Sequence, residues 1–541
     1  MDGIPRLTRQ LLASCALGVL LVFVLLVTLR PQHTGRAFSE TGNRQSTSPT
    51  SSGVSQATSD STDSPASLSQ AIDSVIDQSE LASARWGVSV ISVTSGKVVY
   101  ARNAAQLFIP ASNMKIYTTG VALDLLGTDY RWRTSAYAKT QPDSAGTISG
   151  DLTLYGRGAP DLVAQAKKDG RDGSLEQLAD ALYQRGLRQV RGNVIGDESY
   201  FRGETVGDGW PWTDLQWYFG AEASALSVND NEIQLSILPP QKTDAPPQVN
   251  ENDAVDHLSI ENRLTVVQRG ERMTIGIDRG LSDNKVRVWG EFPLGSRGFG
   301  ARLSVHNPSL WTARLFQKAL RDRGIQVHGS AETRDSRVAP NERFDPSAAT
   351  ELAFVSSKPL GEIVEDTNKA SINLYAELLL RTLGRERGNI VSTTGGRERG
   401  DDEAGLEVIR LWLSRSGIST AGMALHDGSG LSRLNLVTPE SISKLLISLS
   451  KTGAGPVFRA SLPISGRDGT LGGRLEKLSD RVVAKTGSLT YTASLSGYVT
   501  VAGGETLAFS ILCNDQTARA SSTRVIDEIV SILATDLAIK G

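Results

Sequence analysis

Cysteine is almost missing from this 541-residue chain: Cys15 and Cys513 are the only two, and the first falls inside a long apolar run near the N-terminus. The part beyond that run has no second thiol with which to close an internal disulfide. Cys513 follows the apolar run Leu507 to Leu512 and reads as a buried small hydrophobe. Histidine is scarce as well, with five in the chain. No Gly-x-Ser-x-Gly elbow is present, and His426, which precedes Asp427-Gly428-Ser429-Gly430, lacks that context, so a histidine-based triad finds no support. An excess of one charge sign is also lacking. The 57 basic and 59 acidic residues nearly cancel and no dense basic block forms a phosphate-binding stripe, which excludes nucleic acid as an expected partner. No metal and no cofactor are expected.

What is present begins with an addressing signal. Arg6 and Arg9 precede an uncharged run from Leu11 to Leu29, closed by Arg30, long enough to span a bilayer. It exceeds the usual signal-peptide core and no convincing small-x-small cleavage site follows, so residues 1–30 read as a signal-anchor in preference to a cleaved signal peptide. The Leu12-Ala13-Ser14-Cys15 string resembles a lipoprotein box, but such a box ends an apolar stretch, and here most of the stretch follows Cys15. Residues 31–70 are Ser/Thr-rich with few large apolar side chains, the composition of a disordered tether.

A helix is expected around Ala71 to Ile76, then a hairpin of Trp86–Val93 and Lys97–Tyr100 about Thr94-Ser95-Gly96. Near the other end, Ser496–Val501 and Thr506–Leu512 flank Ala502-Gly503-Gly504-Glu505 as a second hairpin. A closing helix should then place Val525, Ile526, Ile529, Val530, Leu533 and Leu537 on one face. Both chain ends are thus expected in one antiparallel sheet flanked by helices, an α+β fold. It would be built from residues 71–133 and 358–541. Residues 134–357, with short alternating runs such as Asp151–Tyr155 and Gln234–Leu238, read as a large, mostly β insertion.

With no histidine placed to act as base, lysine is the candidate. Ser112-Asn113-Met114-Lys115 sets a hydroxyl and an amine three residues apart, on one face of a helix. Pro110 and the apolar-rich stretch to Leu126 place Ser112 at the N-terminus of that helix, where the dipole favours developing negative charge. Lys115 can act as a base only if burial or a nearby cation depresses its pKa. The four-residue pattern recurs at Ser282–Lys285, Ser441–Lys444 and Ser448–Lys451. Likewise Ser-x-Asn occurs at Ser227, Ser282 and Ser371, and Lys-Thr-Gly at Lys451 and Lys485. Order and context separate them. Arg481-Val482-Val483-Ala484 supplies a strand before Lys485, Lys451 follows a helical pattern, and Ser371 leads into a helix start at Leu374 to Leu380.

Ser112–Lys115, Ser371–Asn373 and Lys485-Thr486-Gly487, in that order, follow the element order of penicillin-recognising serine enzymes. From about Leu81 to Ile539 the chain resembles the class C low-molecular-mass penicillin-binding proteins, which are D-alanyl-D-alanine carboxypeptidases and endopeptidases with a large insertion between the first two motifs. Further strings that carry the resemblance are Asp427–Arg433, Gly473-Arg474-Leu475, Val483–Leu489, Gly209–Asp214 and Ser224–Asn231. The resemblance implies that Ser112 attacks the penultimate D-Ala carbonyl, Lys115 takes its proton and Ser371 relays a proton to the leaving group. It implies too that Asn373 binds the substrate amide, and that Lys485 holds the Ser371 hydroxyl and, with Thr486, the terminal carboxylate. The backbone N–H groups of Ser112 and Ser488, beyond Gly487, would form the oxyanion hole. Asp214 and Arg433 match positions that read the ends of the peptide side chain, with Phe219 and Leu489 as apolar walls. The partners so implied are peptidoglycan stem peptides, with β-lactams as inhibitors, and the implied location is the outer side of the cytoplasmic membrane, anchored by residues 11–29.

Two departures bear on specificity. Ala221-Glu222-Ala223 stands where Ala-Pro-Val is usual, and Gly156-Arg157-Gly158-Ala159-Pro160-Asp161 where a Gly-Asp-Pro turn is expected. Two other readings compete. A β-lactamase-type hydrolase would use Ser112 equally but needs an extra carboxylate to position a deacylating water, and none is identifiable. A catalytically silent, membrane-tethered peptidoglycan-binding protein would not be expected to retain Ser112, Lys115, Ser371 and Lys485 together.

Overall fold

Strands Arg85–Ser92 and Thr506–Asn514, from opposite ends of the described residues, bury consecutive side chains and so have two buried faces. The structure, a computed structural model, describes residues 67–166, 173–239, 245–335, 337, 340–389, 399–517 and 520–535. The expected anchor, most of the expected tether and Leu537 lie outside these residues. Among the described residues no helix is long and apolar enough to cross a membrane.

Five strands form one antiparallel sheet in the order Val482–Leu489, Thr492–Thr500, Thr506–Asn514, Arg85–Ser92, Val98–Arg102. The two expected hairpins are there, and strand Arg85–Ser92 pairs with Thr506–Asn514 so that the chain ends share the sheet. Along Thr506–Asn514, Leu507, Phe509, Ile511 and Cys513 enter one core while Ala508 and Leu512 enter another. The first core is covered by helices Leu68–Asp77 and Ser522–Leu533, through Ile72, Ile76, Val525, Ile526, Ile529, Val530 and Leu533. Cys513 is fully buried there, its thiol pushed by burial up to about 12. Helix Leu68–Asp77 begins inside the stretch read as tether. Ser67 Oγ accepts from Gln70 N at 3.2 Å and Gln70 Oε1 from Ser67 N at 3.0 Å, a capping box that starts the helix earlier than its apolar pattern indicates.

The other face carries helix Pro439–Ser450 and, beyond it, helices Met114–Leu126, Leu360–Lys369, Asn373–Arg387, Asp401–Arg415 and Gly455–Ser461 around one apolar core. Lys451 caps the end of Pro439–Ser450, so the second Lys-Thr-Gly is a helix terminus and not a strand.

Between these parts, strand Arg133–Ala138 pairs antiparallel with Thr350–Ser356, Arg133 opposite Ser356, so the first and last strands of the intervening segment are neighbours. They edge a five-stranded mixed sheet in the order Ala331–Arg334, Val194–Asp197, Leu152–Tyr155, Arg133–Ala138, Thr350–Ser356. Its first three strands are parallel, which requires crossovers, and helices Ser174–Gln184 and Pro308–Asp322 provide them. The alternating runs did not point to these helices. Three three-stranded sheets, one of them containing Glu232–Leu238, complete the segment.

Candidate active site

Pro110 opens a tight turn, Ala111–Asn113, that runs directly into helix Met114–Leu126. Ser112 therefore lies in a 3-10 turn, two residues before the first residue of the helix. The turn is stitched to the sheet. Asn514 Oδ1 accepts from Ile109 N at 2.8 Å and its Nδ2 donates to Ile109 O at 3.1 Å. Ser494 Oγ donates to Pro110 O at 2.8 Å and Asn113 Nδ2 to Lys485 O at 2.9 Å. Ala111 sits at φ 48°, a left-handed conformation costly for a residue with a Cβ, held by these bonds.

Three residues on, Lys115 Nζ lies 3.0 Å from Ser112 Oγ, 2.6 Å from Asn373 Oδ1 and 2.8 Å from the Ser429 carbonyl oxygen. The side chain is fully buried. Desolvation lowers its pKa to about 7, although the Asp427 and Glu377 carboxylates favour the ammonium. A neutral amine has two N–H groups and one lone pair. Asn373 Oδ1 and the Ser429 carbonyl can only accept, so they take the two N–H groups and leave the lone pair for the Ser112 hydroxyl proton.

Ser371 occupies the turn between helices Leu360–Lys369 and Asn373–Arg387, at φ 59°. Its Oγ accepts from Lys485 Nζ at 2.8 Å, and Lys485 also donates to the Thr486 carbonyl at 3.0 Å. Burial, reinforced by the charge of Lys115, pushes the Lys485 amine well below its ordinary pKa. Asn373 Nδ2 donates to the Phe219 carbonyl at 2.8 Å, so the amide expected to bind substrate is also tied to the intervening segment.

Strand Val482–Leu489 is the free edge of its sheet. Ala484 N points off that edge, donating to Pro463 O at 2.9 Å, and strand alternation turns the Ser488 N–H to the same side. A Cβ on Gly487 would lie 3.0 Å from Ser112 N and 2.2 Å from Ser494 Oγ. Only glycine lets the strand come this close to the nucleophile turn. Gly430, at φ 84°, is equally confined, since a Cβ there would meet the Ala111 carbonyl at 1.8 Å.

Ser112, Ser371, Asn373, Asp214, Phe219, Arg433, Ser488 and Leu489 line one cleft of about 580 Å³. Lys115 and Lys485 are buried beside the serines they contact. Thr486 and Gly487 line a neighbouring cavity of about 530 Å³ that shares Ser488, with Thr486 Oγ1 2.7 Å from Thr470 Oγ1. Asp214 and Phe219 come from two short 3-10 turns, Trp212–Asp214 and Tyr218–Gly220. Burial pushes the Asp214 carboxyl up, with Arg433 pulling it down. Arg433 is held by Nη1 donating to the Thr490 carbonyl at 3.0 Å. Glu222, one of the departures, lies 2.7 Å from His306 Nδ1 through Oε1, and Asp161, in the other, accepts from Lys358 N at 2.8 Å.

Sequence reading missed Arg302, whose Nε is 2.9 Å from Glu232 Oε1 at the cleft wall, and the support beneath Lys115. Asp427 Oδ1 accepts from Gly430 N at 2.8 Å and Asn435 Nδ2 at 2.6 Å, while its Oδ2 accepts from Ser432 N at 2.7 Å and Trp210 Nε1 at 2.9 Å. Glu377 holds the same loop. A legible signal existed: Asn373, Glu377 and Arg381 recur every fourth residue through the mainly apolar first half of a helix.

The sequence profile of the D-Ala-D-Ala carboxypeptidase 3 (S13) family matches residues 68–536. The D-alanyl-D-alanine carboxypeptidase of Actinomadura sp. strain R39 is 32% identical over 473 residues, covering 84% of this chain and 82% of that protein. The D-alanyl-D-alanine carboxypeptidase DacB of Haemophilus influenzae is 26% identical over 429 residues, 77% of this chain and 83% of its own length. The crystal structure of penicillin binding protein 4 (dacB) from Haemophilus influenzae shares the fold, with a TM-score of 0.74 at 24% identity over 86% of this chain and 99% of that one. With the ordered motifs in contact with one another and this match over most of its length, the chain belongs to the D-Ala-D-Ala carboxypeptidase 3 (S13) family.

Proposed function

We propose that this chain hydrolyses the D-Ala-D-Ala ends of peptidoglycan stem peptides through an acyl-enzyme on Ser112, and that penicillins acylate the same hydroxyl. The observation that carries this reading is the buried Lys115 amine 3.0 Å from Ser112 Oγ, with its pKa lowered to about 7. Ser112 Oγ attacks the carbonyl carbon of the penultimate D-Ala and its proton passes to Lys115 Nζ. The negative charge on the carbonyl oxygen is met by the N–H groups of Ser112 and Ser488. As the C–N bond breaks, the leaving nitrogen takes a proton through Ser371, whose hydroxyl is oriented by Lys485 at 2.8 Å. That proton is the one Lys115 accepted, so the amine is neutral again when water attacks the ester carbon; it takes the water proton and passes it to Ser112 Oγ as the ester C–O bond breaks.

Thr486 and Lys485 would receive the terminal carboxylate, and Asn373 the amide next to the scissile bond. Asp214 and Arg433, with Phe219 and Leu489 between them, would read the side chain of the stem peptide. If the leaving nitrogen belongs to a neighbouring stem peptide instead of a free D-Ala, the same steps open a cross-link. In a β-lactam the leaving nitrogen stays tethered to the acyl group, so the ester persists. The substrate implies a catalytic unit on the outer side of the cytoplasmic membrane, with the apolar run 11–29 as its anchor.

A fluorescent penicillin tests the chemistry. Labelling of the wild type and none of Ser112→Ala is the expected outcome, and equal labelling of both removes Ser112 from its role. Release of free D-Ala from a pentapeptide, or loss of cross-linked muropeptides, then identifies the leaving group.

A further inference from the structure

Glu377 is an ionisable group that the catalytic steps leave unused, yet it is buried behind the base. Its side chain and that of Arg381 are each 1% exposed, and Arg381 Nη1 donates to Glu377 Oε2 at 2.9 Å. Oε1 accepts from two consecutive backbone amides, Gly428 N at 2.9 Å and Ser429 N at 2.8 Å. Burial and the charge of Asp427 push its carboxyl up, while Arg381 and the Ser429 N–H pull it back, and because every group bonded to it is a donor the contacts favour the carboxylate. The peptide it grips ends in the Ser429 carbonyl, and that oxygen holds Lys115 Nζ at 2.8 Å. Asn373, one helical turn before Glu377 on the same face, supplies the other acceptor for Lys115, at 2.6 Å. One rigid helix therefore sets both acceptors that aim the Lys115 lone pair at Ser112, directly through Asn373 and through the loop backbone by way of Glu377.

We infer that Glu377 is a positioning residue for Lys115, fixing the Gly428–Ser429 backbone so that the Ser429 carbonyl holds the amine against Ser112. The inference rests on the reading that Ser112 is the acylated nucleophile. Charge follows from the same placement. Lys115 is faced by Glu377, Asp427 and Lys485, of which the two carboxylates favour the ammonium. Glu377 is itself faced by Asp427 and Arg381, and Arg381 Nη2 lies 4.0 Å from Asp402 Oδ2. Loss of the Glu377 charge favours the neutral amine, so Lys115 should lose its proton at lower pH.

The test measures the second-order rate constant for acylation by a fluorescent penicillin, from pH 5 to 9, on the full chain. It compares wild type, Glu377→Ala and the double variant Glu377→Gln/Arg381→Gln, with Ser112→Ala as control and thermal unfolding to establish folding. Glu377→Ala frees the loop and should lower the plateau rate about a hundredfold, the scale of a misplaced catalytic group. The double variant keeps an oxygen for the two amides and a neutral partner at position 381, and should recover most of that loss. Of the two charges it removes, that of Glu377 acts on Lys115 and that of Arg381 sits behind it, so its acid limb should still move to lower pH. A Glu377→Ala plateau equal to wild type, or a double variant whose acid limb superimposes on wild type, overturns the inference. If Glu377→Ala does not fold, the acid limb of the double variant decides alone. Labelling of Ser112→Ala at the wild-type rate would instead overturn the reading on which it rests.

Discussion

Lys115 has two fixed acceptors and one lone pair, and its usefulness depends on being neutral. Its pKa, lowered by burial to about 7, means that acidification protonates it and removes the lone pair from Ser112. Acylation by penicillin should therefore rise through about pH 7 and level off above it, measured as the rate constant against pH. A flat profile from pH 5 to 9 would show that Lys115 does not take the proton. Lys115→Arg should lose more than about a hundredfold, because a guanidinium stays protonated throughout this range.

At the scale of elements, the candidate site is shaped by how closely an edge strand and a loop approach the turn that carries Ser112. Gly487→Ala would drive a methyl to 2.2 Å from Ser494 Oγ and 3.0 Å from Ser112 N. The strand must withdraw. We expect a stability loss of about 1–3 kcal/mol by thermal unfolding, and a larger relative loss in acylation, since the oxyanion amides separate. Asn514→Ala removes both bonds to Ile109 and should lower stability by about 1–3 kcal/mol, read as a fall in Tm. Among the elements, the hairpins, the closing helix and the strand under Lys485 were legible because each has a local period or turn. Helices Ser174–Gln184 and Pro308–Asp322 were not, because the alternating strands around them dominated the reading, and their need arises only once three parallel strands must be connected.

Across the whole molecule, the cleft is a joint product of the segment between the first two motifs and the catalytic core. The former brings Asp214 and Phe219, the latter Arg433 and Leu489, and the Asn373 bond to the Phe219 carbonyl ties the two together. Arg433→Ala should reduce kcat/KM for a stem peptide carrying a free side-chain terminus more than it reduces acylation by a simple penicillin. Equal losses for both would show that Arg433 does not read the side chain.

The sequence by itself determined the family and the order of its motifs: the scarcity of histidine pointed to lysine as the candidate base, and three ordered motifs singled out Ser112, Ser371 and Lys485. Spacing of three residues on a helix sufficed to bring Lys115 to Ser112, because that contact is local. What only the tertiary structure decided is non-local. The fall in the Lys115 pKa comes from burial by several elements, the choice of Ser371 and Lys485 over their repeats is completed by a 2.8 Å contact across 114 positions, and Glu377 is hydrogen-bonded to the loop that holds Lys115, which lies 51 and 52 positions away. Such contacts depend on packing, which no local pattern encodes.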